Sequence, residues 1–235
     1  MYRNLDSEKI VDTIETLCKR IDERFPGAGL AQVCRELLVI ARESHERSAW
    51  IARPQKLLRV VIGLVVFLIL VALGLVLANS TWPGKGFDFV SLVQVSEAGI
   101  NVCLLLGAAI LFLATTEARV KRGRALKQIH EMRALAHVVD MHQLTKDPER
   151  LVAPAPNTPS SPTRNLSAAE LIRYLDYCSE MLSLIGKLAA LYVQKFNDPV
   201  ALAAVNDVEQ LTTGLSRKIW QKIMILNSVK PNVQR

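Results

Sequence analysis

The sequence predicts an all-α membrane protein: a two-helix transmembrane hairpin carrying a cytoplasmic helical bundle built from the N- and C-terminal helices. Three observations carry that expectation. No charged residue stands between Arg59 and Lys85, and Val60 to Ala78 is apolar without a break. A second run, Ala98 to Thr116, is apolar except for Asn101 and the Cys103 thiol at one end and two threonines at the other. Apolar positions elsewhere recur at helical spacing, and no stretch alternates in the manner of a half-buried strand.

The first run, VVIGLVVFLILVALGLVLA, would form a helix about 28 Å long at roughly 1.5 Å per residue. That length matches the about 30 Å hydrocarbon core of a bilayer. Spans are expected over about 58–79 and 97–116, joined by an outward loop over 80–96. Glu97 and Asn101 stand at the threshold of the second span, either in the headgroup region or facing protein, because a charge inside lipid is costly. Basic residues crowd the outer flanks of the pair: Arg42, Arg47, Arg53, Lys56 and Arg59 before it, Arg119, Lys121, Arg122, Arg124 and Lys127 after it. Lys and Arg concentrate on the cytoplasmic side, so both termini are expected there, in the inner membrane, with Arg53, Lys56, Arg59, Arg119, Lys121, Arg122 and Arg124 setting topology and meeting lipid headgroups. Trp82, Phe87 and Phe89 of the short loop would act as interfacial anchors.

The net charge of +7 excludes little by itself, since its excess clusters beside the apolar runs and points to anionic headgroups before nucleic acid. The first fifty residues are charged, unlike a cleaved signal peptide. Cys18, Cys34, Cys103 and Cys178 form no CxxC pair, so they read as small buried apolar residues and not as a zinc or redox motif.

The flanking regions divide into N-terminal helices over 1–56, a juxtamembrane helix over 117–151, a Pro-rich linker over 152–164 and a helical hairpin over 165–235. Ser7 can cap a first helix with Ile10, Ile14, Leu17 and Ile21 on one face. Phe25-Pro26-Gly27-Ala28-Gly29 breaks it, and Val33, Leu37 and Ile40 or Ala41 mark the next. Leu126, Ile129, Met132 or Arg133, Leu135 and Val139 keep helical spacing beyond the second span, which can run on into the cytosol as one helix to about Leu144. VAPAPNTPSSPTR reads as a flexible tether. Ser167 with Glu170 spells a capping box for a helix facing inward through Leu171, Leu175, Cys178, Leu182, Ile185 and Leu188 or Ala189. Asn197-Asp198-Pro199 ends it and starts the last helix, whose face is Val205, Val208, Leu211 or Thr212, Leu215, Ile219 and Ile223.

Catalytic patterns are scarce. His130, His137, Asp140 and His142 share one helical stretch, but the spacing is not H-E-x-x-H; a helix end in which Asp140 holds His137 by a hydrogen bond explains it better than a metal held by His137, Asp140 and His142. No phosphate-loop, dinucleotide or nucleophile-elbow signature occurs, so neither an enzyme nor a cofactor is expected. Tyr174, Tyr177 and Tyr192 with Arg173 and Lys187, or Arg217, Lys218 and Lys222 near Trp220, could frame a pocket, or simply pack with their polar ends at the rim.

On a helical wheel, Glu97, Asn101, Leu104, Ala108 and Thr115 fall near one meridian of the second span, with Leu111 beside them. Several copies ringing that stripe would line a pore with a Leu104 and Leu111 constriction and a Glu97 ring. The alternative is that the stripe packs on the first span through its small residues. The two closely spaced apolar runs with basic flanks and adjoining helices resemble the bacterial two-transmembrane SLATT-like proteins over about Arg42 to Leu144. The resemblance implies a pore-forming effector in antiviral defence, partnered by itself, by the lipid bilayer and by a regulatory protein or nucleotide-type signal. Function is accordingly expected to be a homo-oligomeric channel gated by the helical bundle, or a membrane-anchored helical adaptor with no pore.

Overall fold

The computed structural model describes residues 4–52, 56–79, 89–148, 159–160, 166–194 and 196–228, some positions in the apolar helices by backbone alone. Among these residues all regular structure is helical: α1 (Ser7–Arg24), α2 (Gly29–Ala52), α3 (Lys56–Asn79), α4 (Phe89–Leu144), α5 (Ala168–Leu191) and α6 (Pro199–Ser228). The linker expected over 152–164 lies outside them except for residues 159 and 160, and Trp82 and Phe87 lie outside them altogether.

The chain divides into two compact units, one formed by 1–52 with 124–235 and the other by 53–123. In the first unit α1 and α2 form a helical hairpin, α5 packs against both, and α6 packs against α5. Local chemistry fixes the ends of these elements. Asp6, rather than Ser7, caps α1, its Oδ1 accepting from the N–H groups of Glu8 (3.1 Å) and Lys9 (3.4 Å). Gly27 takes φ +73, a left-handed turn conformation that costs glycine nothing, between α1 and α2. Ser167 and Glu170 close the capping box of α5: the Glu170 carboxylate accepts from the Ser167 N–H at 2.8 Å, and the Ser167 Oγ accepts from the Glu170 N–H at 3.3 Å. Asp198 caps α6 through the N–H groups of Val200 and Ala201, with Pro199 at the first helical position.

One hydrophobic core runs through this unit. It takes Ile14, Leu17 and Ile21 from α1, Leu30 and Leu37 from α2, Ile129, Met132 and Val139 from α4, and Leu175, Leu182 and Ile185 from α5, all essentially inaccessible. Val205, Val208, Leu215, Ile219 and Ile223 of α6 close it. Inside it, the Tyr192 hydroxyl donates to Ser44 Oγ at 2.6 Å, Ser44 donates to the Ile40 carbonyl at 2.6 Å, and Gln128 Oε1 stands 3.4 Å from the same hydroxyl. The rim is pinned by Arg20 to Glu180 at 2.9 and 3.2 Å and by Arg35 to Asp22 at 2.8 and 3.0 Å. Such exposed pairs contribute under about 1 kcal/mol each.

The second unit corrects the expected fold class. Among the described residues no helix is long and apolar enough to cross a membrane. A crossing needs about 20 consecutive, mostly apolar residues. The transmembrane hairpin is therefore overturned, and with it the channel that needed two crossings, the cytoplasmic placement of both termini and the inner-membrane location. The outward loop expected over 80–96 is corrected as well, because α4 already begins at Phe89. From there it runs unbroken for 56 residues to Leu144, past Gly123.

The core sets the first expected outcome. Leu182→Ala empties a fully buried site and should lower unfolding free energy by about 2–5 kcal/mol. Ser167→Ala removes the α5 cap and should cost about 1 kcal/mol. Urea unfolding followed by circular dichroism measures both.

Candidate functional site

The first unit holds a cavity of about 520 Å³ lined by Phe25, Ala28, Gly29, Met141, His142, Thr145, Lys146, Leu166 and Tyr174. Three pieces of chain build it: the turn between α1 and α2, the last turn of α4 with the residues after it, and the first half of α5. Phe25 and Tyr174 meet edge to face, centroids 5.5 Å apart and planes at 69°, a favoured arrangement for two aromatic rings. The Lys146 ammonium lies 5.1 Å from the centre of the Tyr174 ring. Burial, and then the Cys178 thiol, push the Tyr174 hydroxyl well above its ordinary pKa, so it stays protonated and able to donate. At the opposite wall a Cβ on Gly29 would lie 2.7 Å from His142 Cε1. Only glycine lets the imidazole come so close to the start of α2.

Beside this cavity the end of α4 is bolted to α6. Lys222 Nζ donates to the Gln143 carbonyl (2.8 Å) and side-chain oxygen (2.7 Å), and Gln143 Nε2 donates to Asp140 Oδ1 (2.6 Å). Burial holds the Lys222 pKa below its usual value, with Asp147 and Asp140 pulling the other way. Cys178 nearby is raised to about 12 by burial, opposed by Lys146 and Lys222, so it is an inert thiol.

The structure separates the residues that sequence reasoning grouped. His130 and His137 are exposed, and Asp140 holds Gln143, not His137. Among the described residues no group of three metal-ligating side chains converges. Tyr174, Tyr177 and Tyr192 do not share a pocket: Tyr174 lines the cavity, Tyr177 lies beneath the Arg20 guanidinium at 5.2 Å, and Tyr192 holds Ser44. Lys187 donates to Ser183 at 2.6 Å, whereas Arg217 and Trp220 border an open groove on α6 with Met224 and Ile225. Cys18, Cys34 and Cys178 are buried as expected of small apolar residues, but Cys103 is exposed. The whole α4 stripe is exposed: Glu97, Asn101, Leu104 at 66%, Ala108, Leu111 at 70% and Thr115, whose hydroxyl donates to the Phe112 carbonyl. Of the basic flank, the Arg119 guanidinium stands 5.7 Å over the Phe112 ring; the side chains of Arg53, Lys56 and Arg59 lie outside the described residues. Sequence reasoning missed Gly29, His142 and Lys146 as cavity neighbours. The Pro26-Gly27 break was a visible sign of the turn, but nothing in the sequence places the end of α4 against it.

Comparison with family models, curated proteins and solved structures returned no match, and nothing in it bears on the resemblance to two-transmembrane effectors.

The Lys222 contact is directly testable by pH. Its folded pKa lies below the ordinary 10.5 of the unfolded chain, so in the window between the two the unfolded state binds more protons. Stability contributed by this group should therefore rise as pH climbs through that window towards 10.5. In Lys222→Met the rise should vanish, and at pH 7 the loss of two hydrogen bonds from a charged donor should cost about 1.5–3 kcal/mol. Thermal unfolding of both proteins between pH 7 and about 10.5 makes the comparison.

Proposed function

We propose that this chain is a non-enzymatic helical scaffold that works as a homo-oligomer, its first unit a folded body and its second the element that joins copies. The supporting observation is the exposure of large apolar side chains along α3 and α4, among them Leu64, Phe67, Leu68, Leu104, Leu105 and Leu111. Contiguous apolar surface of this kind is rare on a protein that works as a monomer, and it marks an interaction face.

The occupant argued for is a second copy. α3 carries no charge after Arg59, and α4 none between Glu97 and Glu117, so identical copies meet there without like-charge repulsion despite a net charge of +7. A neutral apolar face is self-complementary, which a symmetric interface requires. Among the described residues, nothing beyond the backbone of α4 itself and the adjoining residues lies within 4 Å of a Cβ position at Gly99 or Gly107, leaving room for a close helix approach. The Leu104 and Leu111 stripe thus becomes a contact seam in place of a pore lining.

Mass photometry of the full chain should find a multimer. Replacing both Leu104 and Leu111 by Lys removes roughly 1.5–3 kcal/mol of burial at each site, which should weaken association at least about 100-fold. A monomer at tens of micromolar would overturn the proposal. So would recovery of the chain in an alkali-resistant membrane fraction, which would put lipid and not another copy on these faces.

A further inference from the structure

We propose that the cavity beside the α1–α2 turn binds a small organic anion, with a carboxylate or phosphate at its Lys146 end and a flat apolar body against Phe25 and Met141. The proposal is independent of self-association.

The lining is selective in charge. Among the described residues that border the cavity none is acidic, while Lys146 and His142 both face it. The Lys146 ammonium is paired with no carboxylate among the described residues; its neighbour is the face of Tyr174. The start of α2 adds to this. Ala28, the residue before Gly29, has no side chain able to cap, and the first turn carries no acidic group. The Ala31 N–H donates to the Ala28 carbonyl at 3.0 Å, and among the described residues no side chain caps the N–H of Gly29, which borders the cavity at the positive end of the helix.

A second, independent sign is Tyr174. The residue is only 5% exposed, lines the cavity, and its hydroxyl makes no hydrogen bond among the described residues. Every fully enclosed side-chain nitrogen or oxygen among those residues has a partner. The Tyr174 hydroxyl is therefore not fully enclosed by protein. An accessible hydroxyl that makes no hydrogen bond within the protein is free to donate to a bound anion. The remaining wall, Phe25, Ala28, Met141 and Leu166, is apolar, and about 520 Å³ suits a ligand of modest size.

Isothermal titration of the full chain with phenyl phosphate, benzoate, inorganic phosphate and benzyl alcohol tests this. Phenyl phosphate or benzoate should bind with a submillimolar Kd. Inorganic phosphate should bind at least about tenfold more weakly, and benzyl alcohol more weakly still, because each lacks one half of the recognised group. Lys146→Ala and Tyr174→Phe should each weaken the aromatic anion about tenfold, with wild-type melting behaviour showing that both variants fold. No binding of either aromatic anion at about 10 mM would overturn the proposal. Undiminished binding in both variants, or inorganic phosphate binding as tightly as phenyl phosphate, would do the same. Should Tyr174→Phe fail to fold, Lys146→Ala decides alone, since its side chain stands at the cavity edge and not in the core.

Discussion

The apolar stripes of α1 and α2 cannot be satisfied by each other alone. Their hairpin turns Ile14, Leu17, Ile21, Leu30 and Leu37 inward, and shelter for all of them comes only when α5 lies across both helices. The folded body is therefore built from sequence-distant ends of the chain, 1–52 and 124–235. Closing so long a loop costs little more than closing a short one, because the entropy of closure grows only logarithmically with length. Burial of a core drawn from α1, α2, α4, α5 and α6 outweighs that cost.

The polar groups of this core follow from the same packing. Tyr192 sits at the end of α5 where α2 and α4 arrive, and its hydroxyl meets Ser44 and Gln128 there. A satisfied network in a low-dielectric interior rewards one arrangement of helices over others that bury similar apolar area. Hydrophobic matching alone would tolerate sliding of one helix along another; the Tyr192 to Ser44 bond at 2.6 Å would not.

Short-range chemistry made much of the bundle legible. The Ser167 and Glu170 pair and the Asp198-Pro199 start are rules of one helix terminus, and they hold. The inward faces of α1, α5 and α6 follow from spacing because burial and the 3.6-residue repeat coincide there. Where two adjacent residues offered equivalent caps, the sequence could not choose, and Asp6 takes the role expected of Ser7. The histidine helix misled for a similar reason. Asp140 has a neighbour at 137 and another at 143, each three residues away, and Gln143 takes it because Gln143 is already held by Lys222 from a distant helix. The apolar runs were the hardest to interpret: an uncharged helix reads alike whatever covers it, so its pattern gives a demand for cover without naming the cover.

The end of α4 shows how one helix turn serves two purposes. Successive residues on a helix point about 100° apart, so Gln143 and His142 must face different neighbours. Gln143 turns to α6 and is fixed by Lys222, whereas His142 turns to the start of α2, where the missing Cβ of Gly29 admits its ring. Just beyond the helix, Lys146 is anchored by its backbone, its N–H donating to the Gln143 carbonyl at 3.0 Å, while its side chain lies over Tyr174. The same carbonyl therefore accepts from both Lys146 and Lys222. The bolt to α6 holds the backbone from which the cavity's cation projects, so the charge is fixed in place by a contact that does not itself line the cavity.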